Sequence, residues 1–328
     1  MGDVDADGVY DLVVGSGPDR TAEVVVYSGK SRKGKAAFTT ELARFQPFGP
    51  DARGGISVAA AQIDGSSADN IIVGSGPGIP SEIRIYEATL PSKKGAAPAL
   101  FSTFSPYAGS RSGVSISTGF VDYSTGRFGI VTAPGAGDTA EVKVFAFPLL
   151  KPMSKSSSGS HASHHGMHAA GAGEPVNLAS FRPFGDDYRG GVSLATGWLA
   201  GSLGGAERIV VSQLAEAGTV KVFSSGSALD PGPAMYMHSP SDHGRHPTFR
   251  EIASFNPFDG ASGTRVATTS TTHGANLLVS GVSQQGKGAS VLKYDFVRSD
   301  AQSTTLAAKP LGEVHSGTGP QPAILGGD

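Results

Sequence analysis

The sequence predicts an all-β protein in which one domain is built from five similar units. A short β-branched run recurs five times, centred on Val14, Val73, Val131, Val211 and Val279, with spacings of 59, 58, 80 and 68 residues. A recurrent period with variable loops is typical of stacked units, because one unit alone cannot bury its apolar face. The 47 glycines and 21 prolines supply turns, and no stretch shows helical periodicity.

Each unit carries four predicted strands, and the β-branched run is the first in chain order. A run of alternating apolar and polar residues follows at 22–27, 81–86, 140–145, 218–223 and 289–294. This alternation predicts a half-buried antiparallel strand. The next run is aromatic, at 45–48, 104–107, 181–184 and 255–258. Its internal proline favours an outer edge strand. After a glycine-rich turn, a run of small residues suits a crowded innermost strand.

Four antiparallel strands at this period are typical of a β-propeller blade. We expect repeats at 1–55, 56–113, 114–191, 192–264 and 265–319 within a single domain over 1–328. The first unit lacks an innermost strand, and residues 320–328 have the composition of one. We therefore expect a five-bladed ring in which this closing strand completes the first blade and leaves no exposed sheet edge. The alternative is a fragment of a longer six- or seven-bladed chain.

Composition argues against several classes of protein. A net charge of −2 does not favour a nucleic-acid surface, which needs a clustered basic field. No apolar run approaches the ~20 residues that span a membrane, so we expect no membrane span. Without cysteine there is no disulfide framework. The chain opens inside the first repeat with no signal peptide, so we expect a mature chain or an excised fragment.

The first residues carry the most specific chemical pattern. Asp3, Asp5, Asp7 and Asp11 alternate with other residues, and Gly8 lies where the loop must turn sharply. Alternating carboxylates followed by glycine form the first half of an EF-hand-like loop, which wraps the chain around one hard cation. Here a strand follows instead of a helix. The alternative is an Asx-turn hairpin that holds no metal.

With this loop, the chain resembles the FG-GAP repeats of integrin-α-type propellers, also called VCBS-like repeats. These have Asp-x-Asp-x-Asp-Gly before a β-strand and then Gly-x-Gly-Pro, as at 15–18 and 74–77 here. The resemblance implies one Ca²⁺ bound by the side chains of Asp3, Asp5, Asp7 and Asp11 and by the carbonyl of Val9. The loops of the other repeats lack this acidic set, so we expect one calcium site.

Two long insertions hold most of the histidines. They span 150–176 and 230–249, each between the alternating strand and the aromatic strand. Imidazole with thioether suits copper, and imidazole alone suits Zn²⁺ or Ni²⁺. The alternative is a polar loop without a ligand. The candidate transition-metal ligands are His161, His164, His165, Met167, His168, His238, His243 and His246.

Arginine recurs at the same glycine-rich turn of three repeats, as Arg53, Arg111 and Arg189. These side chains are candidates for gripping an anionic or carbohydrate ligand at one propeller face. The alternative is that they pair with neighbouring carboxylates or bond the carbonyls of the turn.

We expect a non-catalytic extracellular binding or scaffold module that recognises a protein or glycan, as in cell adhesion. Its location would be extracellular, at the cell surface or periplasmic, and it could form part of a larger chain or assembly. The sequence shows no Gly-x-Ser-x-Gly elbow and no glycosidase-like carboxylate pair. The alternatives are a propeller-type lyase or hydrolase, or its accessory domain, and a transition-metal-binding surface protein.

Overall fold

The computed structural model is all-β, and no helix occurs among the residues that it describes. Those residues are 1–31, 36–87, 97–122, 127–147, 174–199, 207–225, 248–258, 263–271, 274–282, 289–298 and 305–317. In this part of the chain, no helix has the length and apolar character needed to cross a membrane. The insertions predicted to bind transition metals lie mostly outside the described residues, as do all eight of their candidate ligands and the closing strand at 320–328.

In the described part of the chain, nineteen strands form five antiparallel sheets, one with three strands and four with four. The first sheet is β1 (Leu12–Gly15), β2 (Val24–Tyr27) and β3 (Glu41–Phe45). The second is β4 (Ile56–Ala61), β5 (Asn70–Ser75), β6 (Ile83–Tyr86) and β7 (Leu100–Phe104). The third is β8 (Val114–Asp122), β9 (Arg127–Pro134), β10 (Val142–Ala146) and β11 (Val176–Phe181). The fourth is β12 (Val192–Gly197), β13 (Arg208–Gln213), β14 (Val220–Ser225) and β15 (Phe249–Phe255). The fifth is β16 (Thr264–Thr271), β17 (Gly274–Val282), β18 (Ala289–Arg298) and β19 (Leu306–Gly317).

Within each sheet, strands that follow one another in the chain are neighbours. The β-branched strands β5 and β13 are buried along their whole length, as expected of strands covered on both faces. In β6 and β10, Ile83, Ile85, Val142 and Val144 are buried while the basic residue between each pair is half-buried. The predicted alternation therefore occurs in these strands.

The apolar core lies between the sheets, because each of four buried clusters joins two successive sheets. Val24 and Val26 of the first sheet, for example, pack with Ile71 and Val73 of the second. Among the residues that the structure describes, no comparable cluster joins the fifth sheet to the first. The arrangement is propeller-like, since each sheet obtains its core from its neighbours.

An aromatic pair repeats across each of these four cores. The last residue of an outer strand packs against a ring in the third strand of the next sheet, as Phe45 does on Tyr86 with ring centroids 4.8 Å apart. The remaining pairs are Phe104–Phe145, Phe181–Phe223 and Phe255–Tyr294. Each of these four outer strands ends at this phenylalanine, and the proline follows outside the strand. The prediction of proline within the edge strand was therefore wrong.

The innermost strands β4, β8, β12 and β16 lie side by side around a central cavity. Threonine hydroxyls join them in a regular series, in which each donates to a carbonyl of the preceding inner strand. Thr118 Oγ1 donates to Ala60 O at 3.1 Å, Thr196 Oγ1 to Thr118 O at 2.5 Å, and Thr268 Oγ1 to Thr196 O at 2.6 Å. Small polar side chains thus link strands of different sheets.

Candidate metal centre

A backbone bridge closes the N-terminal loop. Gly2 N donates to Asp11 O at 3.2 Å, and Asp11 N donates to Gly2 O at 2.8 Å. Within the loop, Ala6 and Gly8 have left-handed φ values of 57° and 82°. Glycine adopts this conformation without cost, whereas alanine is strained in it. The loop therefore turns sharply twice and brings its alternating carboxylates inward.

Two of the aspartates hold the loop in shape. Asp3 accepts hydrogen bonds from Asp7 N at 3.0 Å and Gly8 N at 2.9 Å. Asp11 is fully buried and accepts from Val4 N at 3.1 Å and Gly29 N at 3.0 Å. Gly29 is close-packed there, because a side chain at that position would overlap the carbonyl oxygen of Tyr10. The second strand of the first sheet thus leads directly to the carboxylate that ends the loop.

Three carboxylates converge in this loop. One oxygen each from Asp3, Asp5 and Asp11 lies within 4.8 Å of the others, with Asp3 and Asp5 half-buried. Burial raises the pKa of Asp11 above its usual range, and the nearby charges of Asp5 and Asp7 raise it further, against the lowering effect of its amide donors. Clustered anionic oxygens of this kind suit a hard cation such as Ca²⁺, whose charge would offset their repulsion.

Asp7 and Val9 do not join this group of three. The Asp7 carboxylate pairs with Lys30, whose Nζ lies 3.1 Å from Oδ2, and its Oδ1 accepts from Val9 N at 3.0 Å. The structure thus brings together three of the four predicted carboxylates. Calcium ligation by the side chains of Asp3, Asp5, Asp7 and Asp11 and by the carbonyl of Val9 stays a prediction.

Asp69 is a neighbour that the sequence pattern did not include. Its carboxylate accepts from Asp3 N at 3.0 Å, and Asp69 N donates to Asp3 O at 2.8 Å. Asp69 lies in the connection between β4 and β5, so these two hydrogen bonds tie the N-terminal loop to the second sheet. Burial raises the pKa of Asp69, and the Asp3 charge adds to that effect.

The second repeat has a hydrogen-bonded asparagine where the N-terminal loop has the buried Asp11. Asn70 occupies the position of Asp11 at the start of its β-branched strand and is equally buried. Its side-chain oxygen accepts from Ile63 N and Asp64 N, while its amide nitrogen donates to Asp64 Oδ2 at 2.9 Å. A side-chain amide thus donates to one of the two carboxylates of that loop, whereas three carboxylates converge in the N-terminal loop.

The three candidate ligand-binding arginines are exposed. Arg111 Nη1 donates to the carbonyl of Gly78 at 2.9 Å, and Arg189 Nη1 donates to the carbonyl of Asp186 at 2.8 Å. The backbone carbonyls of Arg53, Arg111 and Arg189 in turn accept from Asp19, Gly78 and Gly137. Arg111 and Arg189 therefore follow the predicted alternative, in which the arginine side chain donates a hydrogen bond to a turn carbonyl.

Comparisons with known proteins add little. No family model matches the chain, and no curated protein matches it. Among solved structures it is similar to the crystal structure of the exotype rhamnogalacturonan lyase YesX, with 13% identity and a TM-score of 0.37. The similarity covers 95% of this chain and 56% of the lyase chain, so this chain spans little more than half the length of that protein. A likeness this low carries no argument about function.

Proposed function

We propose that the protein is a non-catalytic binding or scaffold module whose N-terminal loop is held by one structural Ca²⁺. The observation that best supports a metal ion is that carboxylate oxygens of Asp3, Asp5 and Asp11 lie within 4.8 Å of one another. The contrast with Asn70, which serves the second repeat as a neutral amide, supports a single site. The FG-GAP-like assignment belongs to this proposal and rests on the sequence pattern.

The role of the ion is structural in this proposal. Asp3 contributes to the carboxylate cluster, and its backbone also donates to the Asp69 carboxylate and accepts from Asp69 N, just before β5 of the second sheet. A cation bound at Asp3 would therefore hold the N-terminal loop against the second sheet. A cation bound only in the native state stabilises it by mass action.

The ring itself is part of the proposal. Four sheets begin with an innermost strand, whereas the first sheet has three described strands and starts at β1. We infer that residues 320–328 supply the missing strand beside β1 and complete a five-bladed propeller. Closure of this kind covers a sheet edge that would otherwise invite pairing with another chain.

A closed propeller offers its loops as a rigid recognition surface for a protein or a glycan. Extracellular modules bind Ca²⁺ with dissociation constants of about 10⁻⁴–10⁻³ M, and such weak sites fill where Ca²⁺ is abundant. We propose an extracellular, cell-surface or periplasmic location, because a calcium site of that affinity would fill there.

A screen for partners in 2 mM CaCl₂ and in EDTA tests the function. The wild-type protein, immobilised through a tag, would be presented to a glycan array and to an extracellular protein library. The matched control is Asp5→Asn, which keeps the shape of the side chain and removes one of the three clustered charges. We expect partners that bind the wild type in Ca²⁺ and bind it more weakly in EDTA. Turnover of a polysaccharide by the purified chain would contradict the non-catalytic assignment.

A further inference from the structure

The inner strands enclose a cavity of about 470 Å³ that the proposed function does not use. Its walls along β4, β8, β12 and β16 combine apolar side chains, including Val58, Ile116, Leu194 and Val266, with the hydroxyl-bearing Ser117, Thr118, Thr196 and Thr268. This volume lies within the range of pockets that bind small organic groups. The lining also contains larger polar or aromatic residues, among them Tyr10, Asp69, Trp198 and Glu207.

These four residues lie where the inner strands end. Asp69 lies in the connection after β4, Trp198 directly follows β12, and Glu207 directly precedes β13. Tyr10 belongs to the N-terminal loop and is 52% exposed. The cavity thus combines walls of apolar and hydroxyl-bearing side chains with an acidic and aromatic end. Among the described lining residues, none is lysine, arginine or histidine.

Glu207 is the unusual member of this set because it is buried, with a relative exposure of 8%. Its Oε2 occupies the space beside Gly119, where any side chain would overlap it and Thr196. The carboxyl group accepts a hydrogen bond from the amide of Phe120, and burial raises its pKa to about 7. No cationic side chain contributes to that pKa, so the carboxylate carries a desolvation cost that a bound cation would offset.

Asp69 differs from Glu207 in this respect. It already accepts a hydrogen bond from Asp3 N, and the N-terminal amine of Met1 lies close enough to favour its charged form. Asp69 is therefore engaged with the N-terminal loop. Glu207 is the carboxylate that the cavity leaves for a ligand.

We propose that this cavity binds an amine or guanidinium cation carried on an apolar stem, with Glu207 as its counter-ion. The apolar inner-strand residues receive the stem, and the aromatic faces of Tyr10 and Trp198 are suited to a cation close to the carboxylate. The site borders the proposed calcium loop at Tyr10, but its counter-ion Glu207 lies outside that loop. Such a cation exists both as a free small amine and as a lysine or arginine side chain of a protein partner.

The single tryptophan of the chain reports on this cavity. Trp198 lines it, so a ligand that enters should change the intrinsic fluorescence of the protein. The probes are n-hexylamine, the capped peptide Gly-Gly-Lys-Gly-Gly, and n-hexanol, which has the stem without the charge. Titrations in calcium-containing buffer at pH 8, followed by fluorescence and calorimetry, give the dissociation constants. Hexylamine binding alone indicates a free amine, and binding of the peptide as well indicates a partner side chain.

The pH dependence isolates the carboxylate. With a pKa of about 7, Glu207 is about 90% ionised at pH 8 and about 3% at pH 5.5, so the apparent dissociation constant for hexylamine should rise about 30-fold. The other titratable groups of the lining are Asp69, Tyr10 and the N-terminal amine. Glu207→Gln separates their effect, because this variant should weaken binding at pH 8 at least ~10-fold and lose the pH dependence.

The matched control is Glu313→Gln on the exposed surface of β19, which should bind hexylamine as the wild type does. Circular dichroism and a thermal melt establish that Glu207→Gln is folded. Gly119→Ala is a second variant, since its methyl group would displace the carboxylate and should weaken hexylamine in the same way. Equal affinity for hexanol and hexylamine, unchanged binding in folded Glu207→Gln, or no binding of either amine probe would overturn the proposal.

Discussion

Replacing Asp5 by asparagine should have opposite effects with and without calcium. Asp5 is the best of the three clustered carboxylates to change, because Asp3 and Asp11 also hold the loop through backbone amides. Without a cation, asparagine removes repulsion from two neighbouring carboxylates. With Ca²⁺ bound, it removes an anionic ligand. The variant should therefore be more stable than the wild type in EDTA and less stable in Ca²⁺.

The separation of the carboxylates sets the size of the effect. At 4.8 Å, two unit charges repel by about 1 kcal/mol in water and about 3.5 kcal/mol at an effective dielectric constant of about 20. A protein of 328 residues has an unfolding entropy of about 0.7 kcal/mol/K, so 1 kcal/mol corresponds to about 1.5 °C. Because Asp5 is half-buried, the lower value applies to each of its two repulsions, and we expect Asp5→Asn to raise the melting temperature in EDTA by about 3 °C.

Calcium should reverse this order. At a Ca²⁺ concentration about 100 times the dissociation constant, the wild type gains about 2.7 kcal/mol, or about 4 °C, and the variant should gain much less. Differential scanning calorimetry in EDTA and in 10 mM CaCl₂ measures both shifts. The control is Asp51→Asn, an exposed carboxylate outside the loop, which should leave the calcium response unchanged. A loss of stability by Asp5→Asn of equal size in both buffers would refute the reasoning.

Three further predictions concern other parts of the molecule. Deleting 320–328 should lower the melting temperature by several degrees, and an unchanged melt would argue against ring closure by this segment. The pKa of Glu207 is raised from 4.5 to about 7. The group therefore contributes about 3 kcal/mol of stability below about pH 4.5, and this contribution is lost as the pH rises through 7. Between pH 5 and pH 8, the melting temperature should fall more in the wild type than in Glu207→Gln. Gly29→Ala should abolish calcium uptake in calorimetry by pushing on Tyr10, whereas Gly17→Ala, which has open space around it, should not.

The strands of the fold could be predicted because they follow from the local periodicity of the sequence. Each of the five β-branched runs becomes a strand, and the alternating run that follows it becomes the next strand of the same sheet. The outer strands were misjudged at Pro47 and its equivalents. There the phenylalanine before the proline ends the strand and packs into the next core, which is a contact between repeats that no local pattern displays.

The candidate site was predictable in part for the same reason. Alternating aspartates in one loop predict convergence, and Asp3, Asp5 and Asp11 do converge. Lys30 draws Asp7 into an ion pair across 23 positions of the chain, and Asp69 reaches Asp3 from the second sheet. Glu207 has no motif around it. Its burial beside Gly119 arises where strands of the third and fourth sheets meet, so its role could emerge only from the packed structure.

A crystal structure grown in 10 mM CaCl₂ tests the central claim most directly. The proposal predicts one ion, identified by its anomalous signal, with carboxylate oxygens of Asp3, Asp5 and Asp11 at about 2.3–2.6 Å. Cocrystals of Asp5→Asn under the same conditions should show that ion weakly or not at all. Wild-type crystals in which the three carboxylates surround only water, or in which Ca²⁺ binds elsewhere, would contradict the assignment of this loop as the structural metal centre.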